Sequence, residues 1–187
     1  GVSAQVDQEL GPVNLTSITA WRKLKGFALL DNDATPAFTT GTTLYSNFRS
    51  FSQELQLKSP AGSRVNWILG GFCFYTRGGL QPLLVSVNNG AVRLRTDSTG
   101  RTESLAGFGQ VTAEIFPGTN LTGGLRYTHD NRTLGGVAQT NGAITAVRDA
   151  SVNFNKLTFR ASLDHRFSEQ VLAYVSFNRG FKSGLLA

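Results

Sequence analysis

The sequence predicts an all-β chain, an antiparallel up-and-down meander of long amphipathic strands, on three observations. Apolar and polar residues alternate with a period of two in several separate stretches. Those stretches are joined in turn by connections of a few turn-forming residues and by connections of about twenty residues. The composition also disfavours helix. Charged residues are 16% of the chain, below the roughly 25% of soluble domains. Gly, Thr, Ser and Asn, all weak helix formers, fill the gap.

The first strand is expected over residues 13–24 and the second over 51–58, where Phe51, Leu55 and Leu57 oppose Ser52, Glu54, Gln56 and Lys58. A third follows at 65–76 and a fourth at 103–116. The fifth, 121–128, sets Leu121, Gly123, Leu125 and Tyr127 against Thr122, Gly124, Arg126 and Thr128. The sixth, 156–167, is the clearest. Lys156, Thr158, Arg160, Ser162, Asp164 and Arg166 alternate with Leu157, Phe159, Ala161, Leu163, His165 and Phe167. Successive strand side chains point to opposite faces, so this stretch has one polar and one apolar face; on a helix its charges would scatter all round. The seventh strand is 171–179.

Residues 59–63, 117–120 and 168–170 carry turn chemistry at hairpin length. The connections near 25–44, 77–102 and 129–153 are expected to be long loops. Short turns alternating with long loops suit a membrane-spanning barrel, whose strands need about ten residues to cross. Trp67, Tyr75, Phe116, Tyr127, Phe167 and Phe177 fall at or near strand ends, where aromatic girdles sit. No run of 18 apolar residues offers a transmembrane helix. About seven strands is too few, and the wrong parity, for a closed bacterial barrel. An open sheet leaves edges that lipid does not tolerate. The whole of 1–187 is therefore expected to be one internal segment of a larger barrel.

Six blocks in order sharpen this. They are Leu15–Arg22, Phe51–Leu57 with Trp67–Phe74, Ala106–Gln110, Gly124–Asp130 and Ala173–Gly184. Together they resemble the TonB-dependent outer-membrane receptors, most of all the iron-siderophore type. That resemblance implies a 22-stranded barrel in the outer membrane of a Gram-negative bacterium, in contact with its lipid and lipopolysaccharide. It implies a periplasmic plug domain, a ligand such as a ferric siderophore bound at the outer mouth, and energy delivered through TonB. Neither the plug, the TonB-interacting motif nor the strand that closes the barrel is recognisable in these residues. A passive pore or structural barrel without TonB is the alternative.

Catalysis is not expected. His129 and His165 stand in different strand regions with no nucleophile or zinc pattern around them. Gly70-Gly71 and Gly78-Gly79 lack phosphate-loop spacing. Asp31-Asn32-Asp33 is similar to the start of a calcium loop but lacks its Gly and terminal Glu. A single cysteine, Cys73, gives neither a disulfide nor metal-ligand spacing, so neither cofactor nor metal is expected. The net charge of +6 is scattered, the densest stretch being Trp21–Lys25, which argues against nucleic acid as a partner. Asn120 and Asn131 match the glycosylation pattern incidentally. For ligand binding the candidates are Arg126 and Arg160, on the polar face with Lys156 and Arg166, and Arg179 and Lys182 near a strand end. Cations in a confined passage attract an anionic chelate. The simpler role for them is to solvate the interior and touch the plug.

Overall fold

A computed structural model describes residues 1–36 and 39–184. Eight antiparallel strands form one sheet in chain order. They are β1 (Val2–Glu9), β2 (Asn14–Asp31), β3 (Gly41–Lys58), β4 (Val65–Val87), β5 (Val92–Phe116), β6 (Thr119–Thr140), β7 (Ala143–Arg166) and β8 (Leu172–Arg179). Each strand pairs with its sequence neighbours, and β1 and β8 pair on one side only. The meander is the one the alternation predicts, with one more strand. β1 was hidden because its alternation of Val2, Ala4 and Val6 is short and built of small side chains.

The three expected long loops are corrected. Most of residues 25–44, 77–102 and 129–153 is strand: β4 to β7 run 23, 25, 22 and 24 residues. β4 turns into β5 through Asn88–Ala91. β6 turns into β7 through Asn141-Gly142 alone, with φ of 51° and 87°. That pair is the two-residue turn whose twist matches a hairpin. Only the β2–β3 connection keeps loop character, and Ala37 and Phe38 within it lie outside the described residues. At the opposite end the connections are tight, as expected. Pro117-Gly118 joins β5 to β6, with Gly118 at φ 74° in the position where a Pro-Gly turn requires positive φ. One end of the sheet therefore carries short turns, and the other carries hairpins that project far beyond a ten-residue crossing.

There is no second layer and hardly a core. Ala106 is the buried apolar residue among those described, and no large side chain is fully buried. The surface is 12627 Å² for 20.1 kDa, against roughly 8,700 Å² for a compact globular chain of that mass. The faces are also inverted. Along β6, Leu121, Leu125 and Tyr127 are 47%, 59% and 53% exposed, whereas Thr122 and Asp130 on the other face are 7% exposed. The polar face is the crowded, inner one.

Candidate functional site

Cross-strand register sorts the side chains. Leu57, Leu69, Gly109, Leu125 and Phe159 oppose one another in one row across β3 to β7. Leu55, Gly71, Gly107, Tyr127 and Leu157 form the next. Above these on the apolar face lies Trp21–Phe51–Tyr75. Phe116 and Phe167 stand at the short-turn end, 69% and 67% exposed. From Tyr75 down to Val65 is ten residues of β4. That is about 34 Å along the strand, or about 26 Å in projection at a tilt of about 40°.

On the polar face a groove of about 500 Å³ runs across β4 to β8, lined by Ile68, Phe108, Gln110, Arg126, Thr158 and Arg160 among others. Arg126 stands opposite Phe108 in β5. Its guanidinium carbon is 5.5 Å from the ring centres of both Phe72 and Phe108, and its Nε donates to Thr128 at 3.3 Å. Two ring faces on one cation are an electrostatic attraction from each ring's quadrupole. Arg160 lies over Gly124: a Cβ there would sit 3.2 Å from the Arg160 Cγ. Phe108 likewise lies over Gly70, where a Cβ would overlap the ring. Small residues thus let large ones lie flat on the inner wall. Among the described residues neither Arg126 nor Arg160 has a carboxylate partner; the ion pairs are Arg95–Asp97 and Arg101–Glu103.

The structure brings Arg126 and Arg160 together and separates the other two candidates. Arg179 ends β8 opposite Phe159, so by alternation it belongs to the apolar row, although it borders the same groove. Lys182 is exposed in the segment after β8. That segment returns over the polar face. Phe181 meets Phe154 at 6.0 Å between ring centres, Lys156 sits 5.8 Å over Phe181, and Arg132 Nη1 donates to the Gly184 carbonyl at 3.0 Å. The aromatics Phe72, Phe108 and Phe154 were not foreseen on the inner wall. The loss of alternation at Gly70–Phe74, apolar on both faces, was the available signal.

The remaining motifs find ordinary structural partners. His165 shares a 2.7 Å hydrogen bond with Thr119, and His129 one of 2.6 Å with Asn155. Asn120 donates to Asp164 at 2.9 Å. Asp33 is saturated by the β2–β3 connection: it accepts from the Thr39 hydroxyl and amide at 2.6 and 2.7 Å, the Thr35 hydroxyl and amide at 2.8 and 3.0 Å, and the Thr40 amide at 2.5 Å. These donors, the Thr39 hydroxyl foremost, hold its carboxyl far below the usual carboxylate range. The acidic pair at 31 and 33 organises its own loop.

An open, inverted sheet of this kind is a length of barrel wall. Residues 3–186 match the family model "TonB dependent receptor-like, beta-barrel", and the chain belongs to that family. Solved structures share the fold at low identity. The ferric yersiniabactin uptake receptor FyuA from Yersinia pestis matches with TM-score 0.80 and 14% identity, over 93% of this chain and 26% of that one. The siderophore receptor PiuA from Acinetobacter baumannii matches with 0.65 and 13%, over 94% and 31%. The ferric-catecholate import receptor Fiu from E. coli K12 gives 0.62 and 14%, over 94% and 34%. The chain thus spans a quarter to a third of these receptors. No curated protein sequence matches it.

Proposed function

We propose that this chain is part of the wall of an active transporter in the outer membrane of a Gram-negative bacterium. It imports a scarce nutrient, with a ferric-siderophore complex as the leading cargo and TonB as the source of energy. The observation that carries this reading is the inverted sheet: leucines and aromatics splay outward while Thr16, Thr42, Thr122 and Asp130 are buried on the inner face. In water that arrangement exposes apolar surface at large cost. In a bilayer it is the stable one, and the span of about 26 Å from Tyr75 down to Val65 fits the apolar band of such barrels, about 25 Å tall. Family membership supports transport rather than catalysis, and of the solved structures that share the fold two are named for ferric chelates and a third for a siderophore.

On this reading Arg126 and Arg160 face the lumen at the depth of the apolar band. Neither has a carboxylate partner among the described residues, and Arg126 is held against Phe72 and Phe108; they meet acidic groups of a plug domain or of an anionic chelate passing it. Lys182 contributes beside the return segment, and Arg179 at the wall. Outside, the apolar rows meet lipid, and cations above them meet lipopolysaccharide.

The test is uptake of radioactive iron by cells carrying the receptor that contains this segment, across a panel of ferric siderophores, with and without TonB. One chelate is expected to accumulate, and to stop accumulating when TonB is removed. Accumulation that persists without TonB refutes active transport and leaves the passive pore. R126Q/R160Q is expected to slow uptake several-fold while the receptor still migrates as a folded, heat-modifiable band.

A further inference from the structure

Lys23, Arg49, Arg77 and Arg101 stand directly opposite one another across β2, β3, β4 and β5. Like charges in opposed positions destabilise a sheet. Arg101 is relieved, since its guanidinium bonds Glu103. The other three are exposed and have no carboxylate partner among the described residues. They line a groove of about 480 Å³ with Trp21, Asn47 and Gln81 and no acidic residue. The row lies on the outward, apolar-side face, immediately beyond Trp21–Phe51–Tyr75 and on the side of the long hairpins. It cannot serve a ligand in the lumen.

We propose that this row is a docking site for the phosphate groups of a phosphorylated glycolipid of the outer leaflet, the lipopolysaccharide that surrounds the barrel. Three clustered cations suit the two phosphates of such a lipid, and an anion seated on the row would relieve the repulsion within it. The acyl part has a seat as well. Six residues below Arg77 on β4 is Gly71, about 20 Å down the strand, and beside it Gly107; a Cβ at Gly107 would meet nothing within 4 Å and one at Gly71 a single atom at 4.0 Å. These glycines leave an outward gutter between Leu55 and Tyr127 at the reach of a saturated chain hung from the row. This inference rests on the outer-membrane reading given above.

The test compares the purified receptor with its K23Q/R49Q/R77Q variant. First, outer-membrane fractionation and heat-modifiable migration of both are checked; a wild type that fails them overturns the membrane reading and this inference with it. Next, retention of bisphosphoryl lipid A, of dephosphorylated lipid A and of inorganic phosphate is measured. Each basic group near an anionic membrane surface is worth about five-fold in binding, so the triple variant is expected to hold lipid A on the order of a hundred-fold less tightly. Wild type should hold dephosphorylated lipid A no better than the variant does, and K23R/R49K/R77K should restore most of the binding. In detergent free of lipid A the variant should melt no lower than wild type, because it has lost only repulsion; with lipid A added, wild type alone should gain stability. Equal retention by wild type and variant refutes the site. Inorganic phosphate binding as tightly as lipid A refutes the lipid as its occupant.

Discussion

The two ends of each hairpin share one backbone ladder but not one side-chain pattern. In β7, residues 156–166 alternate strictly between Leu157, Phe159, Ala161 and Leu163 on one face and Lys156, Thr158, Arg160 and Ser162 on the other. In residues 149–155 of the same strand the sense reverses: Asp149, Ser151, Asn153 and Asn155 fall on the face of Leu157, and Ala150, Val152 and Phe154 on the face of Lys156; residues 143–148 keep no period. The register with β6 runs through both halves, with one irregularity at Ala138/Gln139 near the tip. Which face is apolar is therefore a property not of the strand but of its surroundings. On the reading proposed above, lipid on one side and a crowded polar interior on the other put the apolar residues outward. Where both faces meet water, hydrogen bonds and a tight turn suffice.

The sharpest way to break this contrast is to place the same charge at the same parity in both halves. Leu125 and Val147 are both on the apolar-side face, 59% and 70% exposed. L125R lies in the middle of the apolar band and is expected to cost about 2–4 kcal/mol, as a basic residue does at a bilayer midplane. V147R lies on the projecting hairpin and is expected to stay within about 0.5 kcal/mol of wild type, as surface changes do. Denaturant unfolding of the whole receptor in lipid vesicles reads both. Equal costs would place the hairpin in lipid too, and would abolish the distinction.

A second comparison sets turn against turn. Gly118 and Gly142 both hold positive φ, at 74° and 87°, where a side chain costs about 1–2 kcal/mol. Their surroundings differ. A Cβ at Gly142 meets nothing within 4 Å, whereas one at Gly118 meets the Arg166 carbonyl oxygen at 3.0 Å. The Gly118 carbonyl also accepts from the Arg166 amide at 2.7 Å. G118A should therefore lower the stability of the barrel wall by more than G142A, which should loosen only the β6–β7 tip. Hydrogen exchange separates them: G142A speeds exchange at residues 137–147, and G118A speeds it on both sides of the short turn.

What the sequence made legible follows the same division. The halves nearer the short turns are readable because one apolar and one polar surrounding write a period of two into residues 51–58, 121–128 and 156–167. The projecting halves look like loops because their alternation is short or reversed, as at 149–155, and Gly, Asn and Thr in them resemble loop composition. One local signal was there to be used. Asn141-Gly142, between runs that pair for over twenty residues, is among the strongest short hairpin signals. At the candidate site, the polar side of Arg126 and Arg160 followed from alternation. Their aromatic neighbours did not, since Phe72 and Phe108 break the rule that the inner face is polar. The cation row across β2 to β4 was invisible along the chain, because Lys23, Arg49 and Arg77 are neighbours only through register.

The smallest expected effect is confined to the one true loop of the hairpin end. The Asp33 carboxyl, bonded by Thr39, Thr35 and Thr40, is held below its usual range in the folded state. In the unfolded chain it would titrate near the ordinary value of about 3.9. A depressed folded value means the loop gains from the charged carboxylate above that ordinary value. The gain fades as pH falls below it, and is gone once the folded group is protonated. Acidifying from pH 6 to 3 should therefore leave the Thr39 and Thr40 amide proton resonances in place, although a free carboxylate would be largely protonated by then, and they should move only in stronger acid. D33N should show the released shifts already at pH 6 and no acid transition, with barrel stability unchanged. If D33N leaves the Thr39 and Thr40 resonances where wild type has them, the carboxylate does not organise the loop, and the β2–β3 connection owes its shape to the Asn32–Thr40 and Asn32–Thr42 bonds instead.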